Sequence, residues 1–121
     1  MLEDSQGNTC LHLASSAGSL DCVALLLRAN SDINRVNNEA QTALMLAAAE
    51  GHTQVCVQLV NAGAELNIHD ASGSTALIYA AGSGKAELVD FLLLHLANVD
   101  LRDSTGSTAL VVAISHGHVV R

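Results

Sequence analysis

Three short clusters in this chain carry side chains able to do chemistry: Cys10 with His12, His116-Gly117-His118, and Gly82-Ser83-Gly84-Lys85. A thiol and an imidazole together are the parts of a cysteine nucleophile and its base. Two residues apart on a helix, however, they do not face one another, so the reading is a structural thiol and a turn-supporting imidazole. The paired histidines offer nitrogens to a metal, but no Cys or carboxylate near them in sequence completes the four ligands that zinc favours. The Gly-Ser-Gly-Lys run ends like a phosphate-cradling loop and lacks both the preceding strand and the first glycine at the proper distance. No acid, base and nucleophile fall on one face. The expectation is a protein that is not an enzyme, with no catalytic, cofactor or metal residues.

Composition narrows the function further. The chain has 121 residues, half of them hydrophobic, with Tyr79 and Phe91 as its only aromatics, so small and aliphatic side chains must fill the core. The formal net charge of −7 repels phosphate backbones, and there is no basic stripe to offset it, which excludes nucleic acid as the expected partner. Met1-Leu2-Glu3-Asp4 has no basic n-region and no apolar run behind it, unlike a secretory signal. The richest apolar stretch, Phe91-Leu92-Leu93-Leu94-His95-Leu96, falls far short of the ~20 residues of a membrane span, so no membrane insertion is expected. Cys10, Cys22 and Cys56 are odd in number and show no C-x-x-C spacing, which reads as a reducing compartment, cytosol or nucleus.

The elements that position these side chains recur every 33 residues. Leu11, Leu44, Leu77 and Leu110 share one register, as do Ala14, Ala47, Ala80 and Ala113, and Gly18, Gly51, Gly84 and Gly117. A fixed period of this size means stacked units that cannot bury their apolar faces alone. Each unit opens on a polar turn, as in Asp4-Ser5-Gln6-Gly7-Asn8-Thr9. Thr9, Thr42, Thr75 and Thr108 then stand where a hydroxyl would cap a helix start, and the glycines stand where a left-handed residue would stop it. Ala43 to Glu50 is one such helix. A second helix follows with an apolar stripe: Cys22, Val23, Leu26 and Leu27 in the first unit, Val55, Cys56, Leu59 and Val60 in the second, and Leu88, Val89, Leu92 and Leu93 in the third. Cys22 and Cys56 are therefore expected to be core thiols, and Leu77 a central core residue.

This unit resembles the ankyrin repeat. The resemblance rests on Thr9-Cys10-Leu11-His12-Leu13-Ala14, Thr42-Ala43-Leu44-Met45-Leu46-Ala47, Thr75-Ala76-Leu77-Ile78-Tyr79-Ala80 and Thr108-Ala109-Leu110-Val111-Val112-Ala113, with Gly51-His52 and Gly117-His118 behind them. The loops Asp32-Ile33-Asn34, Glu65-Leu66-Asn67 and Asn98-Val99-Asp100 match as well. It implies an all-α solenoid of helix-turn-helix units joined by β-turn or hairpin loops, with repeats over 4–36, 37–69 and 70–102 and a partial one over 103–121. The chain departs from the family pattern where Cys10, Ala43, Ala76 and Ala109 replace its proline, and where Met45, Ile78 and Val111 replace its histidine. Ala40 and Leu96 stand where the pattern prefers glycine, which implies backbone strain if φ is positive there.

The resemblance also implies a function: non-catalytic binding of a partner protein or peptide on the concave face formed by turn tips and first helices. The residues so placed are Ser5, Gln6, Asn8, Asn38, Glu39, Gln41, Glu50, His69, Ser72, Ser74, Arg102, Thr105 and Ser107. The chain's acidity favours a partner with basic residues. Leu26 to Asn34 and Leu59 to Asn67 further resemble substrates of an oxygen-sensing asparaginyl hydroxylase, making Asn34 and Asn67 candidate acceptors; the alternative is that these asparagines only hold their turns. The fourth unit stops where its second helix should begin. The alternative function is therefore a scaffolding segment of a longer array that self-associates through uncapped terminal repeats.

Overall fold

A computed structural model describes residues 3–29 and 32–95. Over these residues the chain forms six helices in three consecutive pairs: α1 (Cys10–Ala17) and α2 (Leu20–Arg28), α3 (Ala43–Ala49) and α4 (Thr53–Asn61), α5 (Ala76–Ser83) and α6 (Ala86–Leu94). There is no strand among the described residues. The calls on Leu96, Asn98 to Asp100, Arg102 and the whole fourth unit, including Thr105, Ser107, His116 and His118, lie outside them.

Local chemistry sets the helix ends. Thr9 and Thr42 are extended residues whose hydroxyls accept the amides of His12 and Met45. At α1 the cap is reciprocal, because His12 Nδ1 accepts the Thr9 amide at 3.1 Å. Thr75 departs from the pattern: its hydroxyl is buried with no partner among the described residues, and the start of α5 rests on the backbone bond from the Tyr79 amide to the Thr75 carbonyl. The first helices stop at Gly18, Gly51 and Gly84, all left-handed with φ of 72–78°. Gly18 has a second reason to lack a side chain, since a Cβ there would meet the His52 ring at 2.9 Å. That ring donates from Nε2 to the Ser16 carbonyl of the preceding pair at 2.9 Å.

The pairs stack side by side. α3 lies between α1 and α5, α4 lies between α2 and α6, and each first helix packs on its own second helix. The core runs continuously through the stack, from Leu11 and Val23 through Leu44, Leu59 and Cys56 to Leu77, Leu88 and Leu92. Alanines 43, 47, 48, 76, 80 and 81 are buried at the helix contacts, where their size lets backbones approach closely. Met45 and Ile78, which stand in the place of the family's histidine, are buried too.

One expectation fails here. Cys22 is exposed rather than a core thiol, whereas Cys56 is buried as expected. The register is right but the neighbour is missing. Val55 and Leu88, at the same position of later pairs, are buried, while among the described residues nothing packs on that side of the first pair.

Candidate concave cleft

The turns in front of the first helices are built three times by one device. Asp4 Oδ1 accepts the amides of Gln6 and Asn8 at 2.8 and 2.9 Å. Asn37 Oδ1 accepts those of Glu39 and Gln41, both at 3.0 Å. Asp70 Oδ1 accepts those of Ser72 and Ser74, both at 2.9 Å. A short side-chain acceptor thus satisfies two turn amides each time. For Asp4 the bond from the Asn8 amide is the main reason its carboxyl titrates below the usual range. The fourth turn position is left-handed in every case, at Gly7, Ala40 and Gly73. Ala40, with φ of +63°, carries there the strain that its place in the pattern implies.

Successive tips are tied together. The Asn38 amide donates to the Gln6 carbonyl at 3.0 Å, and the Ala71 amide donates to the Glu39 carbonyl at 2.9 Å, the same bond one unit later. Behind the tips, polar side chains link all three pairs. Asn37 Nδ2 donates to Asn8 Oδ1 and to Gln41 Oε1, each at 2.9 Å. Gln41 Nε2 donates to Tyr79 Oη at 3.1 Å, and the Tyr79 hydroxyl donates to Asp70 Oδ2. Burial, reinforced by that bond to Asp70, pushes the phenol up to about 12. Sequence reasoning did not find this chain of contacts. Its only trace was the shared register of Asp4, Asn37 and Asp70.

Between the first two pairs the tips and first helices enclose a cleft of about 580 Å³. Six of the expected binding residues line it: Ser5, Gln6, Asn8, Asn38, Glu39 and Gln41. Asp4 and Asn37 join them at the tips, Ser16 joins from α1, and Leu13 and Leu46 form the apolar floor with the edge of His12. Among the described residues, two carboxylates line the cleft and no Lys or Arg does. Glu50, His69 and Ser72 are exposed but stand apart from it. Ser74 is buried, at 8% exposure, where the sequence pattern placed it on the accessible face. Its amide and carbonyl are both engaged with Asp70, as those of Asn8 and Gln41 are with Asp4 and Asn37.

Among the described residues, His12 and Ser83 are engaged in hydrogen bonds within the fold. His12 is 1% exposed; Nδ1 takes the Thr9 amide, so Nε2 carries the proton and donates to the Gln41 carbonyl at 2.8 Å. Neither nitrogen is left to serve Cys10. In the Gly-Ser-Gly-Lys run, Ser83 Oγ donates to the Ala80 carbonyl at 2.7 Å, and the Lys85 stem lies over Gly51. Among the described residues no three His, Cys, Asp or Glu side chains converge as a metal site. No helix among them is long and apolar enough to cross a membrane. Asn34 is half-buried, and its Oδ1 accepts the Glu65 amide of the next loop at 2.9 Å, whereas Asn67 is exposed.

No curated protein matches the chain. A family model of ankyrin repeats in three copies matches residues 1–70 and again 44–121, together spanning the whole chain. The three stacked helix pairs, their threonine caps and left-handed glycines, and this match agree: the chain belongs to the ankyrin-repeat family.

Proposed function

We propose that this chain is a non-catalytic module that binds a partner protein or peptide on its concave face, with the cleft between the first two repeats as the principal seat. Ankyrin repeats are in general protein-interaction modules. The observation that carries the reading is the cleft itself. It joins two acids, Asp4 and Glu39, a row of hydrogen-bonding amides and hydroxyls, and an apolar floor at Leu13 and Leu46. That combination suits an extended segment that presents basic residues to the tips and one aliphatic side chain to the floor. Among the described residues no large aromatic or arginine lines the cleft, so the partner supplies the anchoring side chains.

The experiment is selection of a displayed peptide library on the parent chain, followed by retesting of the enriched peptides against Glu39→Lys. Enrichment of basic peptides that lose binding to the variant, with an affinity that falls steeply as salt is raised, is the expected result. Peptides without a basic bias, or with equal affinity for parent and variant, would overturn the reading.

A further inference from the structure

The floor of the concave face changes character at the third repeat. Leu13, Leu46 and Tyr79 share one register, so Tyr79 stands where the floor laid by the two leucines would continue. Between the first two pairs the cleft is open, and the described residues that line it run from Asp4 to Leu46, all within the first two repeats. Leucine ends in methyl groups and has nothing with which to hold a turn tip. Tyrosine does. From α5 the Tyr79 hydroxyl receives the Gln41 side-chain amide at 3.1 Å and donates to Asp70 Oδ2, so its ring bridges the tips of the second and third repeats. The matching bond one repeat earlier would join Asn8 to Leu46, whose side chain has no polar atom. The tyrosine ring thus occupies, between α3 and α5, the place that is open cleft between α1 and α3.

The bonds of that ring make it a boundary. Asp70 is half-buried, whereas Asp4, at the same position of the first repeat, is exposed. A ligand running on past Gln41 has to displace the ring and forfeit both hydrogen bonds, one of them to a carboxylate, which costs roughly ten- to a hundredfold in affinity. We infer that Tyr79 ends the binding groove, confining the partner segment to the first two repeats and so setting the length of segment this chain accepts. The inference rests on the concave cleft being the seat of binding. Packed helix axes lie about 8–10 Å apart and an extended chain advances about 3.3 Å per residue, so each further repeat admits about three residues. With Tyr79 in place the partner is a short extended segment anchored by one aliphatic side chain. With leucine there, the floor runs on over α5, Asp70 Oδ2 is released, and the segment gains about three residues with one more basic side chain among them.

The test is selection of one random peptide library in parallel on the parent and on Tyr79→Leu. Truncation of each enriched basic peptide gives its minimal segment, and amide chemical shifts give its footprint. Leucine already fills this position in the first two repeats, and circular dichroism with urea unfolding checks that the variant is folded. Peptides bound to the parent are expected to leave Ala71 and Ser72, the exposed tip of the third repeat, unshifted. Peptides selected on Tyr79→Leu should be longer by about three residues, carry an added Lys or Arg, shift Ala71 and Ser72, and bind the parent at least about tenfold more weakly. Leu46→Tyr is the converse: a ring at that position closes the first cleft and weakens the parent's peptides at least about tenfold, an effect read without Tyr79→Leu. Parent peptides that already shift Ala71 and Ser72, equal minimal segments on parent and Tyr79→Leu, or unchanged binding by Leu46→Tyr would overturn the inference and leave the binding reading standing. A parent that enriches no basic peptide would overturn that reading and this inference with it.

Discussion

Replacing Ala40 by glycine should make this protein more stable, although it removes a methyl group and touches no partner. Ala40 sits at φ of +63°, where the equivalent positions of the neighbouring turns hold Gly7 and Gly73. For an L-residue with a Cβ the left-handed region costs roughly 1–2 kcal/mol. Glycine relieves that strain but adds about 0.4–1 kcal/mol of unfolded-state entropy. The turn is otherwise unchanged, because the Ala40 amide still donates to the Asn37 carbonyl at 3.0 Å and Asn37 Oδ1 still holds two amides. The net gain is about 0.5–1 kcal/mol, or a few degrees in Tm for a domain of this size. The reverse change, Gly7→Ala, imposes the same strain and also drives a methyl into Asn38 Oδ1 and to 3.0 Å from the Asn38 amide nitrogen. It should destabilise by about 1–3 kcal/mol. Urea unfolding of the parent and both variants, fitted with one m-value, measures all three. A neutral or destabilising Ala40→Gly together with a harmless Gly7→Ala would refute the turn geometry on which the cleft depends.

Two further outcomes test the core and its ionisation. Leu77→Ala should cost about 2–5 kcal/mol, because Leu77 is 1% exposed at the centre of the stack; a loss below about 1 kcal/mol in urea would mean that the buried face has been misassigned. Stability should also fall in alkali. Burial pushes the Cys56 thiol from 9.0 to about 12, and the Tyr79 phenol rises from 10.0 to about 12. Both folded-state values are raised, so the unfolded chain loses these protons first; the contribution is full below pH 9 and drains away between pH 9 and 12. Cys56→Ala should lower stability at neutral pH but flatten the decline in the urea midpoint above pH 9, and an equally steep decline would contradict the assignment.

Most of what depends on one repeat's own residues was legible in the sequence, the exceptions being Thr75, whose hydroxyl does not cap its helix, and Ser74, which is buried. The left-handed stops at Gly18, Gly51 and Gly84, the caps at Thr9 and Thr42, and the strained Ala40 each follow from a local pattern repeated in register. What depends on a neighbour was not. Cys22 reads as core from its own helix and is exposed because nothing described packs beside it. The bond from Gln41 to Tyr79 joins residues 38 apart, a pairing created by the stacking of helix pairs and invisible to any periodicity within one of them. The cleft was legible as a row of polar tip residues; its floor at Leu13 and Leu46 was not, since both leucines read as ordinary helix positions.

The central claim is that a partner lies across the concave cleft, and amide chemical-shift mapping with a selected basic peptide tests it most directly. The account predicts saturable shifts concentrated on Ser5, Gln6, Asn8, Asn38, Glu39 and Gln41 and on the floor at Leu13 and Leu46, with α4 and α6 unmoved. Shifts confined to the second helices, with the turn tips silent, would contradict it.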